Sequence, residues 1–105
     1  MKVKNKMITE FNRCAVLKLV LAKFSELVKE DVTADDVGIE AVRLNFDELD
    51  LRLIPEVIQQ ELPLWVVVYT FSFDDYVAYA VVDDEQFWLF VAGIMYGGKL
   101  LCYLK

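Results

Sequence analysis

No histidine occurs anywhere in the 105 residues. Its absence removes the commonest general base, the commonest metal ligand and any histidine-based pH switch. Cysteine is scarce: Cys14 and Cys102 stand far apart, each in an apolar context. They read as buried structural thiols, and a disulfide between them does not follow from the sequence. Zinc-ligand spacing is missing, and neither thiol has the activating base that a cysteine nucleophile needs. Glycine is rare too, and Gly97-Gly98-Lys99 lacks the upstream glycine and following Ser/Thr of a phosphate loop. The longest greasy stretch, Phe87 to Leu104, is interrupted by that same Gly-Gly-Lys. Each uninterrupted piece falls short of the about 20 residues needed to span a bilayer, so no membrane insertion is expected. The N-terminus has lysines but no apolar signal core with a small-residue cleavage site. A cytoplasmic setting is therefore expected.

What is present is apolar bulk. Hydrophobic residues make up 57% of the chain, above the about 45–50% usual for globular domains. The length suits one domain with its own core, without a metal or disulfide staple. Net charge is −6 and is unevenly spread. Residues 1–29 carry seven basic side chains and two acids; residues 30–105 carry four and fifteen. Such polarity steers encounter with a charged partner, and it also keeps a greasy protein soluble.

The pattern predicts a helix from Thr9, as cap, to about Glu30. Its apolar stripe is Cys14, Leu17, Leu21, Phe24 and Val28, widened by Val20 and Leu27, with Lys18, Lys23, Glu26, Lys29 and Glu30 opposite. Phe11 and Leu19 fall toward the polar side. Asp31–Gly38 reads as a loop with one turn capped by Thr33 and Asp36. Val42, Leu44 and Phe46 alternate with Arg43 and Asn45 as a half-buried strand. Leu49, Leu51 and Leu53 alternate with Glu48, Asp50 and Arg52 like a strand, but leucine and glutamate also favour helix, so both readings stand for residues 49–54. Pro55 opens a short helix, Glu56 to Glu61, which Leu62-Pro63 ends.

The last 42 residues read as a β-meander. Trp65, Val67, Tyr69, Phe71 and Phe73 share one face; Leu64, Val66 and Val68 take the other. Asp74-Asp75 turns the chain, Tyr76–Val82 follows, and Asp83-Asp84-Glu85 turns it again. Then Phe87, Leu89 and Val91 oppose Trp88, Phe90 and Ala92, with a bulge expected at Gly93. Tyr96-Gly97-Gly98 makes a hairpin turn into a last strand, Lys99 to Leu104. The expected fold is α+β: a four- to six-stranded, mainly antiparallel sheet, with the long N-terminal helix packed on one face and a short second helix. A sheet greasy front and back needs two covers. One long helix supplies one, so a partner or a second copy of the chain is expected on the other face.

No catalytic residue, cofactor or metal site follows from the sequence. The pairs Asp35-Asp36, Asp74-Asp75 and Asp83-Asp84 lack the spacing and central glycine of a calcium loop. A carboxylate pair for acid/base work needs a cleft that sequence does not show. The basic lead-in and helix (Lys2, Lys4, Lys6, Arg13, Lys18, Lys23, Lys29) sit in an acidic chain, which argues against direct nucleic-acid binding. Between Glu30 and Glu61, ten acids face two arginines, a surplus suited to a basic groove on another protein.

The expected function is that of a small, acidic, non-enzymatic protein-binding module. An inhibitor of the immunity, antitoxin or phage anti-defence (viral) type fits this description. Asp47, Glu48, Asp50, Asp74, Asp75, Asp83 and Asp84 would supply charge. Trp65, Tyr69, Trp88 and Phe90 would be anchors if their face is open. The alternatives are a homodimer through the second sheet face and a small-molecule binder with a pocket between helix and sheet.

Overall fold

Val16, Val20 and Phe24 recur at every fourth position and form the buried line of a helix. In the computed structural model, which describes residues 9–10, 13–85 and 88–104, this helix is α1 (Arg13–Val28). It follows a two-residue strand, β1 (Thr9–Glu10). Thr9 is thus strand and not helix cap. The helix closes where Lys29 turns left-handed, with φ 59°, and its N–H donates to the Ser25 carbonyl at 2.8 Å. The Ser25 hydroxyl oxygen in turn accepts the Val32 N–H at 2.9 Å. Lys2, Lys4, Lys6, Phe11 and Phe87, all part of the expectations above, lie outside the described residues.

The rest of the chain builds β2 (Gly38–Asn45), α2 (Glu56–Gln59), β3 (Trp65–Phe73), β4 (Tyr76–Asp83), β5 (Trp88–Tyr96) and β6 (Lys99–Tyr103). All pairings are antiparallel. The spatial order is β1-β5-β4-β3-β2, and β6 pairs with the same outer edge of β5 that β1 uses. The meander is therefore β2 to β6, while α1 carries the chain from one sheet edge to the other. The turns follow the expected residues. Asp74 takes φ 56° between β3 and β4, and Gly97 and Gly98 both take positive φ between β5 and β6. The turn at Ala34–Asp36 is closed as expected: the Asp36 carboxylate accepts the Thr33 N–H at 2.9 Å and its hydroxyl at 3.1 Å.

Both sheet faces are covered by the chain itself. On one, Val16, Val20 and Phe24 of α1 pack over Phe71, Ala78, Ala80, Val82, Leu89, Ala92 and Ile94. The alanines let the helix approach closely, and Phe24 meets the rings of Phe73 and Tyr76 at 5.7 and 6.0 Å. On the other, Ile54, Ile58, Leu49, Leu53 and Leu62 pack over Val66, Val68, Tyr79, Val81, Phe90 and Val91. This second cover overturns the expectation that a partner or second copy must shield that face. Residues 46–63, with their leucines and isoleucines, do the work.

Three further expectations change. Residues 49–54 are neither strand nor α-helix. They include a 3₁₀ turn at Leu51–Leu53, preceded by another at Phe46–Glu48. Side-chain caps explain both: Asn45 accepts the Asp47 N–H and Asp50 accepts the Arg52 N–H. Phe46 consequently leaves the strand, which ends at Asn45. The bulge in β5 falls at Phe90, not Gly93. Val81 pairs with Val91 and Val82 with Leu89, so Phe90 is the extra residue and shares the second face with Val91. Finally, Cys14 is exposed and Cys102 half-buried, both free, because the buried line of α1 centres on Val16–Val20–Phe24 and leaves Cys14 outside it.

Candidate functional site

Arg43 stands on the outermost strand, β2, opposite Val67 of β3. Its guanidinium lies 4.1 Å from the centre of the Trp65 ring. Its Nε donates to Asp84 Oδ2 at 2.9 Å. These three residues come from β2, the start of β3 and the turn after β4, which antiparallel pairing brings to one end of the sheet. Pro63, Leu64, Asp83 and Glu85 join them around a shallow depression of about 240 Å³. Leu64 is 62% exposed and Trp65 37%. The 3₁₀ turn carrying Asp47 and Glu48 leaves from this same end, where the Phe46 N–H donates to the Leu64 carbonyl at 2.7 Å. The arrangement is an apolar step rimmed by carboxylates. One arginine lies over the indole, with a carboxylate accepting from its Nε.

Of the residues singled out from sequence, the fold gathers Asp47, Glu48, Asp83, Asp84 and Trp65 at this end. Trp88, at the start of β5, belongs to the same end, and 41% of it is exposed. Asp74 and Asp75 sit at the opposite end, beside the β5–β6 turn, where the Gly97 N–H donates to the Asp75 carbonyl. Asp50 forms a bidentate pair with Arg52, at 3.0 and 2.8 Å. That hydrogen-bonded guanidinium holds the Asp50 carboxyl below its usual range. Two proposed anchors lie away from this end, and one of them is closed off. Phe90 is buried in the second-face core, and Tyr69 is half-buried against the helix-side core. Phe90 is a packing residue, because its face is closed by the chain itself, whereas Tyr69 keeps part of its surface open. Arg43 and Leu64 were not singled out from sequence. The signal was there in Arg43, one of two arginines in the acidic stretch, standing in an apolar strand.

A second concavity lies on the other side of β2 and β3. Leu44, Leu49, Leu53, Ile54, Val68, Thr70, Tyr79, Val81 and Met95 line a cleft of about 220 Å³, with Glu48 and Asp50 beside it. Its wall is held by Tyr79, whose hydroxyl donates to the Leu53 carbonyl, and by Gln59, whose amide donates to the Leu51 and Ile54 carbonyls. Burial, above all, pushes the Tyr79 phenol well above its ordinary value. Among the described residues no group of three or more His, Cys, Asp or Glu converges as a metal site. No helix among them is long and apolar enough to cross a membrane.

No protein-family model matches the chain, and neither a curated protein nor a solved structure does.

Proposed function

We propose that this is a small, non-enzymatic protein-binding module that docks the acidic, tryptophan-bearing end of its sheet on a basic partner. The observation that carries the reading is the Arg43–Trp65–Asp84 arrangement beside exposed Leu64. A partly exposed aromatic already fixed in one orientation loses little freedom on binding. An apolar centre with a charged rim is the anatomy of a protein interface. The net charge of −6 speeds encounter with a basic surface. An inhibitor of the immunity, antitoxin or phage anti-defence type, acting in the cytoplasm, is the role this chemistry suits.

The test is capture from the native host with immobilised protein, read by mass spectrometry and repeated with Trp65→Ala and with Asp83→Asn/Glu85→Gln. A specific partner should fall away with the first variant, and should bind more slowly, with weaker salt dependence, to the second. A set of captured proteins identical for all three would overturn the proposal.

The cleft beneath Leu49 and Leu53 favours a second reading, a carrier of small apolar molecules. Its lining is mainly apolar, with Glu48, Asp50, Thr70 and Tyr79 among the leucines and valines, and its volume is suited to a compact hydrocarbon group. Titration with an anilinonaphthalene dye separates the two readings. Saturable binding abolished by Val68→Phe, with no loss of the protein partner, would support the carrier.

A further inference from the structure

Edge strands expose unpaired backbone donors and acceptors, and soluble proteins usually blunt them with bulges, prolines or lysines. The β5 side of this sheet is irregular, with register shifts at Val81/Val82 and at Ile94/Met95. The β2 side is not. From Gly38 to Asn45, β2 pairs with β3 without a break in register, and it contains neither proline nor lysine. No described strand pairs with its outer side. Ala41, Val42 and Arg43 are exposed in the middle of it.

The hydrogen-bonding phase of that edge is readable. The register continues to Phe46, whose N–H donates to Leu64. Antiparallel pairs alternate between bonded and non-bonded. Counting back by twos, Leu44, Val42, Glu40 and Gly38 bond inward to β3. Ile39, Ala41, Arg43 and Asn45 therefore aim their backbone groups outward. The Asn45 donor is already closed, since its N–H donates to Glu48 Oε1 at 2.8 Å. The residues with both donor and acceptor open are Ile39, Ala41 and Arg43, a set symmetric about Ala41.

We propose that β2 pairs with β2 of a second copy about a two-fold axis at Ala41, joining two sheets into one. Ala41 of one copy then exchanges both N–H···O bonds with Ala41 of the other, and Ile39 does so with Arg43. Every outward N–H and C=O of Ile39, Ala41 and Arg43 finds a partner, with one copy as the template for the other. Side chains agree in sidedness. Ile39 meets the stem of Arg43 on the helix-covered face. On the other face Glu40 opposes Val42, and the two Val42 side chains, 49% exposed in the single chain, become diagonal neighbours. No like charges stand directly opposite. The two Glu40 carboxylates face each other on a diagonal, so Glu40→Gln should tighten the pair.

Sedimentation velocity of the full chain from about 1 µM to 1 mM tests this. The expected result is a reversible dimer that Ala41→Lys weakens by about tenfold or more, by placing like charges opposite each other. Ala41→Pro should abolish it by removing the outward donor that β3 does not use. Circular dichroism establishes that each variant remains folded, and Ala41→Lys alone decides the matter if the proline variant does not fold. In a Cys14→Ser/Cys102→Ser background, Ala41→Cys should cross-link two copies under mild oxidation and Gly38→Cys should not, because bonded partners lie about 5.5 Å apart between Cα atoms. A strict monomer throughout, or a dimer indifferent to Ala41→Lys, would overturn the proposal. Pairing with an extended peptide of another protein while the chain remains monomeric would do the same.

Discussion

Tyr79 and Gly93 are register partners on β4 and β5, and the ring of one occupies the space where the other has no side chain. A Cβ on Gly93 would lie 2.6 Å from the Tyr79 hydroxyl oxygen. The ring reaches across to donate to the Leu53 carbonyl and so ties the second-face cover to the sheet. Gly93→Ala should displace the ring and cost about 1–3 kcal/mol. Tyr79→Phe, which keeps the ring and loses the bond, should cost about 1 kcal/mol. Urea denaturation of the single and double variants checks both. The two losses should fall short of additive, because the first already disturbs the bond that the second removes.

Alkaline pH should act through the same phenol. Its pKa is raised in the folded state by burial first, then by repulsion from Tyr103, Asp50 and Cys102. A raised value leaves stability intact below the unfolded value of about 10 and lowers it as pH climbs above that. Denaturation curves at rising pH should therefore lose midpoint faster for the natural chain than for Tyr79→Phe. Tyrosinate absorbance should show one of the five tyrosines ionising only as the protein unfolds. Equal alkaline slopes for the two chains would contradict the assignment.

Much of this arrangement was legible beforehand because period-two alternation is a strong signal. Val66 and Val68 fell opposite Tyr69, Phe71 and Phe73, as the sheet requires. The turns at Asp74-Asp75 and Gly97-Gly98 were legible from turn chemistry. The bulge at Phe90 was not, since Trp88 to Ala92 is apolar at every position and any phase fits. Residues 46–54 were opaque for another reason: Asn45 and Asp50 form local caps that compete with both strand and helix. That local competition hid the second cover, and with it the fate of Phe90. Within the candidate site, the carboxylates were visible as a surplus. The gathering of Asp83, Asp84, Trp65 and Arg43 was not, because it depends on which strand ends meet.

The two kinds of aromatic should separate in stability measurements. Phe24 is wholly buried beneath the helix and Phe90 is 5% exposed. Truncating either to alanine should cost about 3–5 kcal/mol. Trp65, more than a third exposed, should cost no more than about 1–2 kcal/mol on the same change, because much of its surface never leaves water. A Trp65→Ala variant that melts like Phe90→Ala would place the indole in the core and remove the candidate site.

Thiol chemistry offers a direct check on helix phase. Cys14 is exposed on α1 and Cys102 is half-buried in β6. A disulfide-exchange reagent should modify Cys14 in the native protein at the rate of an open thiol and Cys102 more slowly. Assignment follows from Cys14→Ser and Cys102→Ser. Equal protection of both would mean that the helix is turned about its axis.

The placement of β1 and α1 has a bearing on biosynthesis. β1 hydrogen-bonds to β5, and α1 lies over residues of β3, β4 and β5. Most of the surface on which β1 and α1 dock is thus encoded from β3 to β5, far downstream of them. During translation the helix emerges with its oily stripe bare and stays so until the ribosome has delivered β3, β4 and β5. Folding of this protein is in that sense deferred, and holdase chaperones have their window during elongation.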